Sequence, residues 1–280
     1  MKRLFPSANL SIGQCASVAC VLEVSAPKAG NVHPGADFED LTYAHFVASA
    51  VAIGPAMEAA ASQPLGRTVL DAIRATRQVV QTNTNLGTVL LLAPLAAVAR
   101  HERLATGLGK VLANLNADDA RDVYAAIRWA HPGGLGHSER FDVFGSPPPN
   151  LLEAMATAAQ YDLVARQYVN GFREVFDQAA PWLAEGIEAG WSLADAIVHA
   201  HLRLIAACGD SLIMRKCGAE LSRQAARRAA EVLAAGPPGH PTYMGLLAEF
   251  DRWLRADGHR RNPGTTADLL AAGLFTLLRG

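Results

Sequence analysis

Apolar residues recur three and four positions apart through almost the whole chain, and alternating runs of β-branched residues are missing. Such a pattern buries one face of each α-helix and gives no signal for a sheet. The expectation is an all-α fold, a single compact domain over residues 1–280 with roughly ten helices. A first helix, capped by Ser7 or Asn9, runs to about Ser25 with Ile12, Cys15, Val18, Ala19 and Leu22 on its buried face. Thr42 caps a second helix towards Ala60. Further helices are predicted over 65–80, 86–100, 118–130, 151–178, 180–189, 192–207, 217–235, 242–256 and 264–278. The one starting at Leu86 is apolar on most sides and therefore reads as central.

Charge and cysteine content narrow the function classes. The 280 residues carry 25 basic and 26 acidic side chains, a balance unlike that of a nucleic-acid binder. The four cysteines form no C-x-x-C pair, so they read as reduced thiols packed as small hydrophobes. The first residues lack an apolar stretch with a cleavage site. The longest apolar run, Thr88 to Ala99, is interrupted by Pro94 and falls short of the roughly 20 residues a bilayer span needs. A soluble cytoplasmic protein without nucleic-acid or membrane partners is expected, with a homodimer allowed for.

In a helical protein, loops of unusual composition carry most of the functional information. Five stand out. In Ala26–Leu41, a lysine beside a glycine can meet a phosphate as a point charge, and Asp37, Glu39 and Asp40 can hold Mg²⁺ through oxygen ligands and water. The alternative is a surface turn whose acids favour a helix N-terminus. In Thr82–Gly87, hydroxyls and amides gather at the start of an apolar helix, where an anion or a ribose fits, or where an ordinary cap would sit. In His131–Gly136, three glycines allow close backbone approach to a ligand, or simply shape a long structural loop.

The fourth loop, Gly209–Gly218, holds Asp210 and the adjacent cations Arg215 and Lys216. They can face a metal–phosphate group from both signs, or form a solvated helix end with its own ion pair. The fifth, Arg260–Asp268, feeds a helix start with Thr265, Thr266 and Asp268 after two arginines, a ready anion site. His33 and His131 lie in these loops, either as structural hydrogen-bonding groups or as catalysts. No H-E-x-x-H, G-x-S-x-G or Walker A loop is present, so zinc, serine-hydrolase and P-loop chemistry are not indicated.

In this order on a helical chain, the loops resemble the triphosphoribosyl-dephospho-coenzyme A synthase family from about residue 14 to 278. The resemblance rests on Pro27-Lys28-x-Gly30, on Gly35-Ala36-x-x-x-Asp40, on the pair Asn83-Thr84, and on Pro263-Gly264-x-x-Ala267-Asp268. It implies an all-α transferase that moves a ribosyl triphosphate from ATP to a hydroxyl of dephospho-coenzyme A, releasing adenine. It implies that Lys28 and Arg215 hold the triphosphate and that Mg²⁺ neutralises it. Residues and resemblance together nominate Asp37, Asp40 and Asp210 as catalytic. They nominate Lys28, Gly30, His33, Asn83, Thr84, Asn85, Gly133, Gly134, Arg215, Lys216, Asn262 and Thr265 for substrate. Mg²⁺ is assigned to Asp37, Glu39, Asp40 and Asp268.

The chain departs from the family pattern in three places. Asn83-Thr84-Asn85-Leu86-Gly87 stands where the synthases usually carry Asn-Thr-His-Lys-Gly, Ala29 replaces a proline, and Pro132-Gly133-Gly134-Leu135-Gly136 replaces a Gly-Ala-Arg-Gly-Glu-type loop. These changes suit a divergent branch and leave the acceptor open. Two alternatives stay open with it. One is a nucleotide- or pyrophosphate-dependent enzyme of one-carbon carrier synthesis, for tetrahydromethanopterin or methanofuran. The other is a non-catalytic helical protein that binds nucleotides.

Overall fold

The computed structural model describes Leu4 and residues 9–134, 136, 138 and 140–280. Ser7, one of the two expected caps, and Leu135 of the glycine loop lie outside the described residues. The fold is all-α, as expected. Among the described residues the helices are α1 (Ile12–Ser25), α2 (Tyr43–Ala52), α3 (Gly54–Glu58), α4 (Leu65–Val79), α5 (Leu86–Ala97), α6 (Leu104–Ala113), α7 (Ala117–Ala130), α8 (Leu151–Ala158), α9 (Leu163–Asn170), α10 (Ala180–Glu188), α11 (Leu193–Cys208), α12 (Ser211–Cys217), α13 (Ala219–Ala234), α14 (Pro241–Arg255) and α15 (Gly264–Arg279). A 3₁₀ turn, a π turn and one four-residue strand segment, Ala256–His259, complete the chain.

Fifteen helices replace the roughly ten expected, for local reasons. Ser11, not Asn9, caps α1, and its hydroxyl accepts from the Gln14 N–H while the Gln14 side chain accepts from the Ser11 N–H. The expected 151–178 helix is broken. Asp162 caps a new helix by accepting from the N–H groups of Val164 and Ala165, and Gly171 ends it in the left-handed region at φ 72°. The segment 104–113, for which no helix was expected, is helical, with Leu104, Leu108 and Leu112 four apart. Asp210 starts α12 inside the expected fourth loop. Tyr43–Ser62 is long and apolar enough to meet the length and composition of a membrane span, although the helix breaks at Ile53.

The core forms around α5 and α15. Ten of the twelve α5 residues are buried, as the all-round apolar sequence requires, and α15 is buried from Thr265 to Arg279 except at Asp268. These two pack on each other and on α1, with α10 and α11 against α15 and with α2, α3 and α4 closing the other side. Arg279, 1% exposed, donates to the carbonyls of Val98 and Ala99 and so satisfies the C-terminal end of α5. Gly66 lets α4 press directly on the α7 backbone, because a methyl there would meet the Cα and carbonyl of Asp119. The result brings the C-terminal end of α1 and the N-terminal ends of α5 and α15 together, and α12 packs on α15 beside them.

Candidate active site

All five loops contribute to the wall of one cavity of about 1290 Å³. Asn31 and Asp40 come from the first loop, Thr82 to Gly87 from the second, and His131, Gly133 and Gly134 from the third. Arg215 and Lys216 come from the fourth, and Asn262, Thr265 and Asp268 from the fifth. The first loop is fixed from a distance: the Gly30 N–H donates to Asp251 Oδ1 on α14 at 2.7 Å, and Arg255 of the same helix donates to the Asn31 carbonyl.

One part of the wall is cationic. Lys216 lies beneath the glycine loop, where a Cβ on Gly134 would stand 3.2 Å from the lysine Cγ, so glycine lets backbone lie directly on the side chain. Burial holds the Lys216 pKa below the usual lysine range, which favours a bound anion that restores the charge. Arg215 is bonded to Asp162, the α9 cap, and Arg140 lies over the Phe141 ring at 4.5 Å. The Asp40 carboxylate faces this group; its partners are His259 Nε2 at 3.6 Å and the charge of Lys216.

Another part of the wall consists of acceptors. Asn31, Asn85 and Asn262 are 7%, 7% and 8% exposed, and the Oδ1 of each is buried with no hydrogen-bond donor. Buried acceptors without partners are rare and costly, so three on one cavity wall point to a ligand that donates. Two carboxylates join them. Glu23 is the only charged residue of α1. Asp268 accepts from Thr88 Oγ1 at 2.6 Å, yet burial, reinforced by the charges of Glu23, Asp210 and Asp162, pushes its pKa up to about 8. The Cys20 thiol beside them is raised for the same reasons, burial first.

Several nominated residues lie off the wall. Lys28 is fully buried and turned away: its Nζ pairs with Glu23 Oε1 at 2.9 Å and donates to the carbonyls of Glu23 and Ala26. That occupies all three of its donors, so the geometry does not offer it directly to a phosphate. Gly30 packs on Leu254 and Pro263, and His33 bonds its own neighbour, the Pro34 carbonyl, at 3.0 Å. Asp37 Oδ1 accepts from the Tyr43 N–H at 2.6 Å, and Glu39 is exposed outside the cavity. Asp210 is 1% exposed; Oδ1 accepts from the Leu212 and Ile213 N–H groups, and Oδ2 from the N–H and hydroxyl of Thr266. It ties α12 to α15 and takes no part in the wall. The described residues contain no group of three or more His, Cys, Asp and Glu side chains arranged for a metal ion.

Sequence reasoning missed Glu23, Asn31 and Thr88. Glu23 did leave a signal, as a lone acid near the end of an otherwise uncharged helix.

The family model for CitG, ATP:dephospho-CoA triphosphoribosyl transferase, matches residues 9–280. A crystal structure from Archaeoglobus fulgidus, assigned as a triphosphoribosyl-dephospho-CoA synthase, superposes with a TM-score of 0.63 at 25% identity, covering 83% of this chain and 97% of that one. No curated protein sequence matches. The match over nearly the whole chain, on loops that meet in one cavity, places this protein in the CitG family of transferases.

Proposed function

We propose that the cavity takes Mg²⁺-ATP and transfers its ribosyl triphosphate to an acceptor hydroxyl, with adenine leaving. The observation that carries this reading is the two-part wall: cations under a glycine loop joined to a set of unpaired acceptors. The family match supports a transferase that uses ATP and favours neither one-carbon carrier synthesis nor a non-catalytic role.

Lys216, Arg215 and Arg140, with the Gly133–Gly134 backbone, suit the polyphosphate. The ribose hydroxyls and the amine of the base are donors, and they suit the amide oxygens of Asn31, Asn85 and Asn262. Mg²⁺ enters with the nucleotide, and the carboxylate best disposed towards it is Asp40. It is 60% exposed, lies beside the phosphate-binding cations and makes a long contact of 3.6 Å to His259. Asp37 and Glu39 lie away from the wall, and Asp268 belongs to the acceptor group. Breaking an N-glycosidic bond develops positive charge at the ribose carbon, which oxygen atoms fixed in place beforehand stabilise. Leu86 forms wall where the family pattern has a lysine, so the acceptor pocket is more apolar here than the pattern implies. ATP as substrate also suits a cytoplasmic enzyme.

Adenine release from Mg²⁺-ATP, followed by chromatography with and without dephospho-CoA, tests the reading. Acceptor-dependent adenine is expected. Tight ATP binding with no adenine released for any hydroxyl acceptor refutes it.

A further inference from the structure

The family-motif lysine does not reach the cavity, but its partner does. Lys28 is 0% exposed in a loop, and Glu23, whose side chain is 12% exposed, stands on the cavity wall. A buried ion pair is a weak source of stability, because desolvating both ions offsets their attraction. A pair of apolar residues would fill this place at less cost, so the charge on Glu23 needs another explanation. Lys28 binds only Oε1 of Glu23 and the carbonyls that flank it. No hydrogen bond within the described residues reaches Oε2.

We propose that Glu23 is the base that takes the proton of the acceptor hydroxyl, and that Lys28 is the positioning residue that aims its carboxylate. This rests on the transferase reading above. In the step, the hydroxyl oxygen bonds to ribose C1 and its proton passes to Glu23 Oε2. The C1–N9 bond breaks, and its electron pair leaves with adenine. Adenine takes up one proton at the ring, so the reaction neither gains nor loses protons once Glu23 returns its own to solvent. The charged and titratable groups that face Glu23 are Lys28 from the loop, Cys20 from its own helix and Asp268 from α15. Of these only Lys28 carries positive charge, so removing it leaves the carboxylate with no cationic partner among them.

Four proteins decide the matter: wild type, Glu23→Gln, Lys28→Met and the double variant Glu23→Gln/Lys28→Met. The double variant removes both charges and so leaves no buried ion unpaired, which keeps the test readable if Glu23→Gln alone fails to fold. Adenine release gives kcat and its pH profile, and calorimetry gives the Kd of Mg²⁺-ATP. A general base contributes about 10²–10⁴-fold. The expected loss of kcat in Glu23→Gln or the double variant is therefore about 10²-fold or more, with Kd within about threefold of wild type. Lys28→Met is expected to move the acid limb of kcat to higher pH, which a merely structural lysine does not do. A folded double variant that keeps kcat within about threefold overturns the proposal, as does an unmoved acid limb in active Lys28→Met. Wild type that binds ATP and releases no adenine overturns both this assignment and the transferase reading. Active wild type with an active double variant overturns this assignment alone.

Discussion

A methyl group built on Gly87 would overlap the Asp268 carboxylate, with its Cγ only 2.7 Å away. The first turn of α5 and the first turn of α15 meet on this glycine, at the edge of the acceptor-lined wall. Glycine inside a helix ordinarily costs roughly 0.5–1 kcal/mol relative to alanine. Here that cost permits the approach of an acid to a helix start.

The contact reverses the usual sign of a helix substitution. Gly87→Ala is expected to lower the melting temperature and to reduce adenine release about tenfold or more. Gly109→Ala, in the exposed interior of α6 with open space around its missing Cβ, is expected to stabilise by roughly 0.5–1 kcal/mol. Chemical denaturation of both variants checks the comparison.

Asp268 gives a pH dependence with a definite sign. Unfolded, an aspartate titrates near 3.9; in the fold burial raises this one to about 8. Between those values the folded protein holds a proton that the unfolded chain has lost, so this group lowers stability as pH rises from about 4 to about 8. Asp268→Asn is expected to flatten the decline in the melting temperature of the substrate-free protein between pH 5 and 8. A decline of the same slope in the variant contradicts the assignment.

Lys216 and Lys110 make a matched pair for the phosphate reading. Lys216 lines the cavity, whereas Lys110 is 64% exposed on α6 and pairs with Glu102 at 2.9 Å. Lys216→Met is expected to raise the Kd of Mg²⁺-ATP about tenfold, the size of one charge-assisted contact. Lys110→Met is expected to leave it unchanged. Calorimetry at constant ionic strength measures both.

Asp210 separates structure from chemistry. Asp210→Ala strips the cap of α12 and leaves the Thr266 N–H without its acceptor. The expected loss is about 2–4 kcal/mol of unfolding free energy. If Asp210 is only structural, kcat per folded molecule stays within a few-fold of wild type. A selective loss of kcat at full stability would return Asp210 to the chemistry.

The helical class and most helix limits were legible because they depend on neighbours in sequence. Thr42 caps α2 by bonding three residues on, the 3.6-residue spacing of α4 marks its buried face, and the all-round apolar run from Leu86 marks the core helix. In α1 only Cys15 and Ala19 of the expected face are buried, beside the small residues Gly13 and Ala16, while Ile12, Val18 and Leu22 stay half-buried. The five loops were legible for the same reason, since glycines, amides and acids in a helical chain are locally conspicuous. Which side chain of each loop faces the ligand was not. Gly30 is tied to Asp251 and Asp210 to Thr266 across separations of 221 and 56 residues. Those distant bonds turn Lys28 and Asp210 inward and leave Asn31 and Lys216 on the wall. Local composition fixed what each loop contained. Only packing between segments remote in sequence decided which of those groups a ligand can touch, because a loop side chain takes its direction from the helices that its backbone is bonded to.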